Sequence, residues 1–301
     1  MAETLNRSNS RNERNEPMYG TFMSQENSDF VARALTYLAG EVGVRENDES
    51  FWVCYGSFVL NQQTPESDLD LLYIHNQQLP VRRFQSSFEG YPVTVYSLSR
   101  NNFVSDGEQK LFGGYFGGKV LNPYVTFLTS REDQNLVTRV GGAFIGPFAA
   151  AMAKRQGREI ATQANLVADS VLARFHLCPW YRSYFLRYYI APIFPQLWER
   201  MEEVIPLSLV EAGVVVQDNN GFHYSHFLSD EELHEETIRA VTHFWALGSC
   251  LHGSMPDFPA YYIQKAEQFI RDDNLESRCK EMLQFLRKQS IYQNGGGSYA
   301  T

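Results

Sequence analysis

The segment that most constrains this chain is Tyr55-Gly56-Ser57, followed after ten residues by Asp68-Leu69-Asp70-Leu71. Ser50–Tyr55 (SFWVCY) is a short run of aromatic and β-branched residues and reads as a buried strand. It runs straight into Gly56-Ser57. The polar stretch NQQTPES then leads to a second strand, Asp68–His75 (DLDLLYIH). There aspartate alternates with leucine, so both carboxylates face one side of a sheet. Like charges so placed repel, and each resists desolvation. A divalent cation removes the conflict, because Mg²⁺ takes hard oxygens from one or two carboxylates plus substrate phosphates. A Gly-Ser turn ending a neighbouring strand adds close backbone approach and a hydroxyl. Together these groups can hold a metal-bound triphosphate for in-line attack.

The arrangement resembles the nucleotidyltransferase superfamily with the polymerase-beta-like palm. Its signature is an apolar strand ending in Gly-Ser, a spacer of this length, and Asp-apolar-Asp-apolar. YGSFVLNQQTPESDLDLLYI fits it, Ser67 before the first aspartate included, and the resemblance runs from about Phe51 to Leu98. It implies an α+β chain: a small palm, with a mixed sheet and flanking helices, followed by a mainly α-helical C-terminal domain. It implies catalytic and metal-binding roles for Asp68 and Asp70 and nucleotide-binding roles for Gly56 and Ser57. The cofactor would be Mg²⁺ or Mn²⁺ and the donor a nucleoside triphosphate such as ATP. The expected reaction moves a nucleoside monophosphate to a hydroxyl-bearing small molecule or protein, with release of pyrophosphate, as in the antibiotic adenylyltransferases.

The departure from the pattern is a third carboxylate. Family members usually carry one on the following strand, as metal ligand or base. Here that strand is Tyr91–Leu98 (YPVTVYSL), which holds no acid. Pro92 takes the slot in one register, Thr94 or Tyr96 in the more usual one. Glu89 and Asp106 lie nearby in sequence, but the motif places neither. Two functions therefore stand side by side: an active transferase, or a degenerate nucleotide-binding or regulatory protein on the same palm. A third reading, an interaction protein, rests on the aromatic run Trp180–Tyr189.

Along the chain, residues 1–26 read as a polar disordered tail, 27–130 as the nucleotidyltransferase domain, 131–293 as the helical domain and 294–301 as a flexible tail. Asn27-Ser28-Asp29 offers N-cap oxygens to a first helix. Residues from Ser99 to about Ser130 read as a glycine-rich loop, and helices are expected from Ala149 onward. Asn219-Asn220-Gly221 marks a hairpin turn and Ser229-x-x-Glu232 a capping box. Two more helices fit Pro259–Arg271 and Leu275–Lys288. Gly113–Lys119 (GGYFGGK) satisfies the Gly-x4-Gly-Lys part of a phosphate loop. The next residue is Val120, where Ser or Thr is needed. Lys119 either contacts the β- and γ-phosphates from beside the palm, or is solvated while the glycines serve close packing.

Composition narrows the partners. A hydrophobic content of 44% excludes a wholly disordered chain. Asp plus Glu is 35 against 26 Lys plus Arg, a net charge of −9, which argues against nonspecific duplex-DNA binding and makes RNA the least favoured acceptor. Cys54, Cys178, Cys250 and Cys279 lie far apart, as suits a reducing cytoplasm. No apolar targeting run opens the sequence, and Val140–Met152 is broken by glycines and a proline. A cytoplasmic protein with no membrane partner is expected, and the oligomeric state stays open.

Overall fold

In a computed structural model, residues 23–42, 49–177 and 196–252 are described here. The aromatic run Trp180–Tyr189, both terminal tails and the two C-terminal helices expected from sequence lie outside them. The fold is α+β. Two compact units divide it: residues up to Ser99 together with Tyr124–Asn135, and Arg100–Pro123 together with residues from Leu136 onward.

The first unit is built on a mixed five-stranded sheet of β1 (Phe51–Tyr55), β2 (Leu69–His75), β3 (Arg82–Phe88), β4 (Tyr91–Ser99) and β5 (Tyr124–Phe127), in the order β3-β4-β2-β1-β5. β2 and β4 run parallel and the other neighbours antiparallel. Helix α1 (Gln25–Val42) buries Val31, Ala34, Leu35 and Leu38, spaced to form one helical face. Its Phe30 lies 5.5 Å from Phe88 and 5.4 Å from Tyr91. Tyr91 is odd-numbered on a regular strand and Thr94 even-numbered, so α1 covers the face opposite Thr94.

The N-terminal start differs from the sequence reading. The helix begins at Gln25, and the Ser24 hydroxyl accepts the Asn27 N–H at 3.2 Å. Asn27 is therefore inside the first turn, and its side chain is buried. The edge strand β3 (RRFQSSF) mixes exposed and half-buried residues and shows no strong apolar alternation, so the sequence does not mark it.

The second unit corrects the expected loop over 99–130. Helix α2 (Arg100–Gln109) follows β4 without a break, and a short helix α3 (Tyr115–Lys119) contains Gly117 and Gly118. Helix α4 spans Arg131–Arg155, well upstream of Ala149. Its start is a reciprocal cap: Asp133 accepts from the Ser130 N–H at 2.9 Å, and the Ser130 hydroxyl accepts the Asp133 N–H at 3.2 Å. Its glycines hid the helix in the sequence, and close packing explains one of them. A Cβ on Gly142 would lie 1.7 Å from the Ser208 carbonyl oxygen. α4 passes a length-and-hydropathy test for a membrane span, but 78% of that window is buried in the protein, as in a core helix.

Helices α5 (Gln163–Leu177), α6 (Gln196–Glu211) and α7 (Asp230–His252) complete the unit, with a three-stranded sheet of β6 (Ile160–Ala161), β7 (Val215–Asp218) and β8 (Gly221–Tyr224). The hairpin falls at Asn219-Asn220, and the capping box forms: Ser229 N–H donates to Glu232 at 2.8 Å, and Glu232 N–H to the Ser229 hydroxyl at 3.2 Å.

Candidate active site

β1 ends at Tyr55 and Gly56 turns the chain out of the sheet at φ 88°, a left-handed conformation that favours glycine. On the neighbouring strand Asp70 pairs directly with Tyr55. The Gly-Ser turn and Asp70 therefore lie at one end of adjacent strands. Asp68 is exposed and precedes β2, whose first paired residue is Leu69. The Ser67 hydroxyl accepts the Thr64 N–H at 2.8 Å, closing a tight turn immediately before it. Ser57 is half-buried.

A row across the sheet, Tyr124, Tyr55, Asp70, Thr94 and Gln85, follows from the register. Thr94, not an acid, stands beside Asp70 on the parallel strand, and Pro92 pairs with Ser87 of β3. Neither nearby acid fills the place. Glu89, in the β3–β4 turn, pairs with Arg33 through bonds of 3.1 and 3.0 Å at the surface. Asp106 belongs to the second unit and is fully buried. Among the described residues no group of three or more His, Cys, Asp or Glu side chains is arranged to hold a metal. The donor set that the resemblance implies is two carboxylates and a hydroxyl. All are hard oxygens, which suits a Mg²⁺ that keeps several waters and takes phosphate oxygens. Burial, reinforced by the Asp70 charge, pushes the adjacent Cys54 thiol up, so it stays protonated and is no nucleophile.

Lys119 falls in the second unit, and the other four predicted site residues fall in the first. Its ammonium lies 4.6 Å from the centre of the Tyr115 ring. The Gly113–Lys119 segment is no phosphate loop: it follows a helix, and its amides are already engaged. Asp106 Oδ1 accepts from Phe112 and Gly114 at 2.8 and 2.9 Å; Oδ2 accepts from Phe116 and Gly117 at 2.8 and 3.1 Å. Gly113 and Gly114 have φ 69° and 73°, and a Cβ on Gly114 would meet the Phe144 ring at 1.9 Å. Close packing is what those glycines do.

Sequence reasoning passed over two buried clusters. Asp169 pairs with Arg158 and accepts the Tyr224 hydroxyl at 3.0 Å; Arg174 donates to Asn122 at 3.0 Å. Asp169 and Arg174 are both buried. Of the histidines, His75 is buried against Ser97 at 3.1 Å and His223 meets Asp218 at 2.8 Å.

A mixed sheet with a Gly-Ser turn after one strand, and on its neighbour Asp70 with Asp68 just before that strand, is close to the arrangement that the nucleotidyltransferase resemblance implies. No family model matches the chain, and no curated protein does. Among solved structures, it is similar to the crystal structure of a nucleotidyltransferase-like protein from Exiguobacterium sibiricum 255-15. The similarity covers 73% of this chain and 76% of that one, at 12% identity and a TM-score of 0.29.

Proposed function

We propose that the chain is a metal-dependent nucleotidyltransferase of the cytoplasm. It moves a nucleoside monophosphate from a nucleoside triphosphate to a hydroxyl-bearing acceptor. The observation that carries this reading is the pairing of Tyr55 with Asp70, which sets the Gly56-Ser57 turn beside the paired aspartates. Asp68 and Asp70 would hold Mg²⁺ or Mn²⁺, which supplies charge neutralisation at the phosphates. Gly56 lets the triphosphate approach the backbone and Ser57 donates its hydroxyl to a phosphate oxygen. The acceptor oxygen bonds to the α-phosphorus as the α–β phosphoanhydride bond breaks. Pyrophosphate leaves with that electron pair, and the acceptor proton passes to a phosphate oxygen.

Thr94 in the place of an acid favours a second reading, in which the same site binds nucleotide without chemistry. Mg²⁺-dependent pyrophosphate release, followed for each nucleoside triphosphate with mass spectrometry of small-molecule and protein acceptors, separates the two. Under the first reading Asp70→Asn lowers release by at least about a hundredfold. Turnover that survives the substitution removes the metal assignment. Tight nucleotide binding without release selects the second reading.

A further inference from the structure

We propose that Asn27 is the positioning residue that holds the Gly56–Gln63 segment in its nucleotide-binding shape. The inference deepens the reading above and rests on it. After Gly56 the chain leaves the sheet and has no strand partner. Its own bonds are local: Gln62 N–H to the Ser57 carbonyl at 2.9 Å and Asn61 N–H to the Phe58 carbonyl at 3.3 Å. Into this turn α1 inserts one buried amide, 4% exposed.

Asn27 Nδ2 shares its two hydrogens among three acceptors, the Phe58 carbonyl at 2.9 Å, Asn61 Oδ1 at 3.1 Å and Gln63 Oε1 at 3.0 Å. Its Oδ1 accepts from Gln63 Nε2 at 2.6 Å. The same Asn61 oxygen accepts the Ser24 N–H at 2.7 Å, and Asn61 itself has φ 56°. These partners of the Asn27 side chain all lie between Phe58 and Gln63. Apolar burial is already supplied there by Phe58, which stacks on Phe30 at 5.3 Å. A buried amide adds little attraction to that, since its desolvation offsets much of its bonding. What it adds is direction: a backbone carbonyl and two amide side chains must stand at fixed positions to satisfy it. The segment it fixes begins at the Gly-Ser turn and ends a few residues before Asp68.

The test uses the full chain with Mn²⁺ and α,β-methylene-ATP, read by calorimetry at a temperature where every variant is folded. Asn27→Ala and Asn27→Asp are expected to weaken binding about tenfold, the equivalent of one lost buried hydrogen bond. Amide hydrogen exchange should quicken in residues 56–63 and stay unchanged in β2 and β4. Gln63→Ala, at the loop, should weaken binding less and in the same direction, and it carries the test if Asn27→Ala fails to fold. Unchanged affinity, or exchange that quickens evenly across the sheet, overturns the proposal and leaves Asn27 a plain stability residue. Asp70→Asn keeps the two levels apart. If it binds as the wild type does, the site reading itself falls, and absence of wild-type binding removes both. If it loses binding while the Asn27 and Gln63 variants do not, only the positioning role falls.

Discussion

In the strand unit the Gly56-Ser57 turn stands across the β1–β2 pair from Asp70, whereas in the helical unit the turn from Phe112 to Gly117 wraps around Asp106. Both join glycine-permitted backbone to a carboxylate. At Asp106 four N–H groups occupy the four lone-pair positions of a fully buried carboxylate. Nothing is left there for a ligand, although the glycine spacing imitates a phosphate loop. At the other turn Asp70 is half-buried on its strand and Asp68 is exposed just before it. The lesson is that glycine spacing beside an acid makes no site where backbone amides already saturate the carboxylate.

The sharpest way to break that contrast is to make one substitution at both places. Asp70→Asn is expected to lower metal-dependent activity by at least about a hundredfold, with no loss of melting temperature. Asp106→Asn should do the reverse. It turns an acceptor oxygen into a donor facing two N–H groups, which costs about 3 kcal/mol in urea unfolding. Nucleotide affinity of the folded variant should stay the same. A stability loss at Asp70 or an affinity loss at Asp106 would dissolve the distinction.

Gly114→Ala comes next, since a Cβ would strike the Phe144 ring at a φ of 73°. About 2–4 kcal/mol of destabilisation should appear in the same melts.

A smaller effect concerns Asp169, the helical unit's other buried acid. Burial, opposed by Arg158 and Tyr224, pushes its carboxyl up from 3.8 to about 6. The folded chain therefore keeps a proton that the unfolded chain has lost between those values. Its stabilising contribution is present below about pH 4 and lost as pH rises through about 6. Unfolding curves at a series of pH values should show this decline, and Asp169→Asn should flatten it. A decline of equal steepness in the variant would assign the slope to other groups.

Smallest is Glu89→Gln. Its ion pair with Arg33 is exposed, so neither melting nor pyrophosphate release should change measurably. A fall in activity would restore Glu89 as the missing acid.

Much of the fold was legible because short apolar strands and turn residues act locally. β1, β2, β4, the Asn-Gly hairpin and the Ser229 cap all follow from neighbouring residues. The edge strand β3 was not legible, because a half-exposed strand needs no apolar alternation. Helix α4 was obscured by glycines such as Gly142, whose reason, the approach of Ser208, lies in another helix. Its Ser130-x-x-Asp133 cap was the signal available in the sequence.

For the site, the sequence by itself determined the Gly-Ser turn, the Asp-x-Asp strand and the missing third acid, because spacing and alternation fix which groups share a sheet face. Only the tertiary structure decided that Thr94 stands beside Asp70, since register is set between strands. It also decided that Asp106 is consumed by backbone amides and that Asn27 holds a loop more than thirty residues away. Those outcomes depend on which polar group meets which donor after folding, and a linear pattern does not encode that pairing.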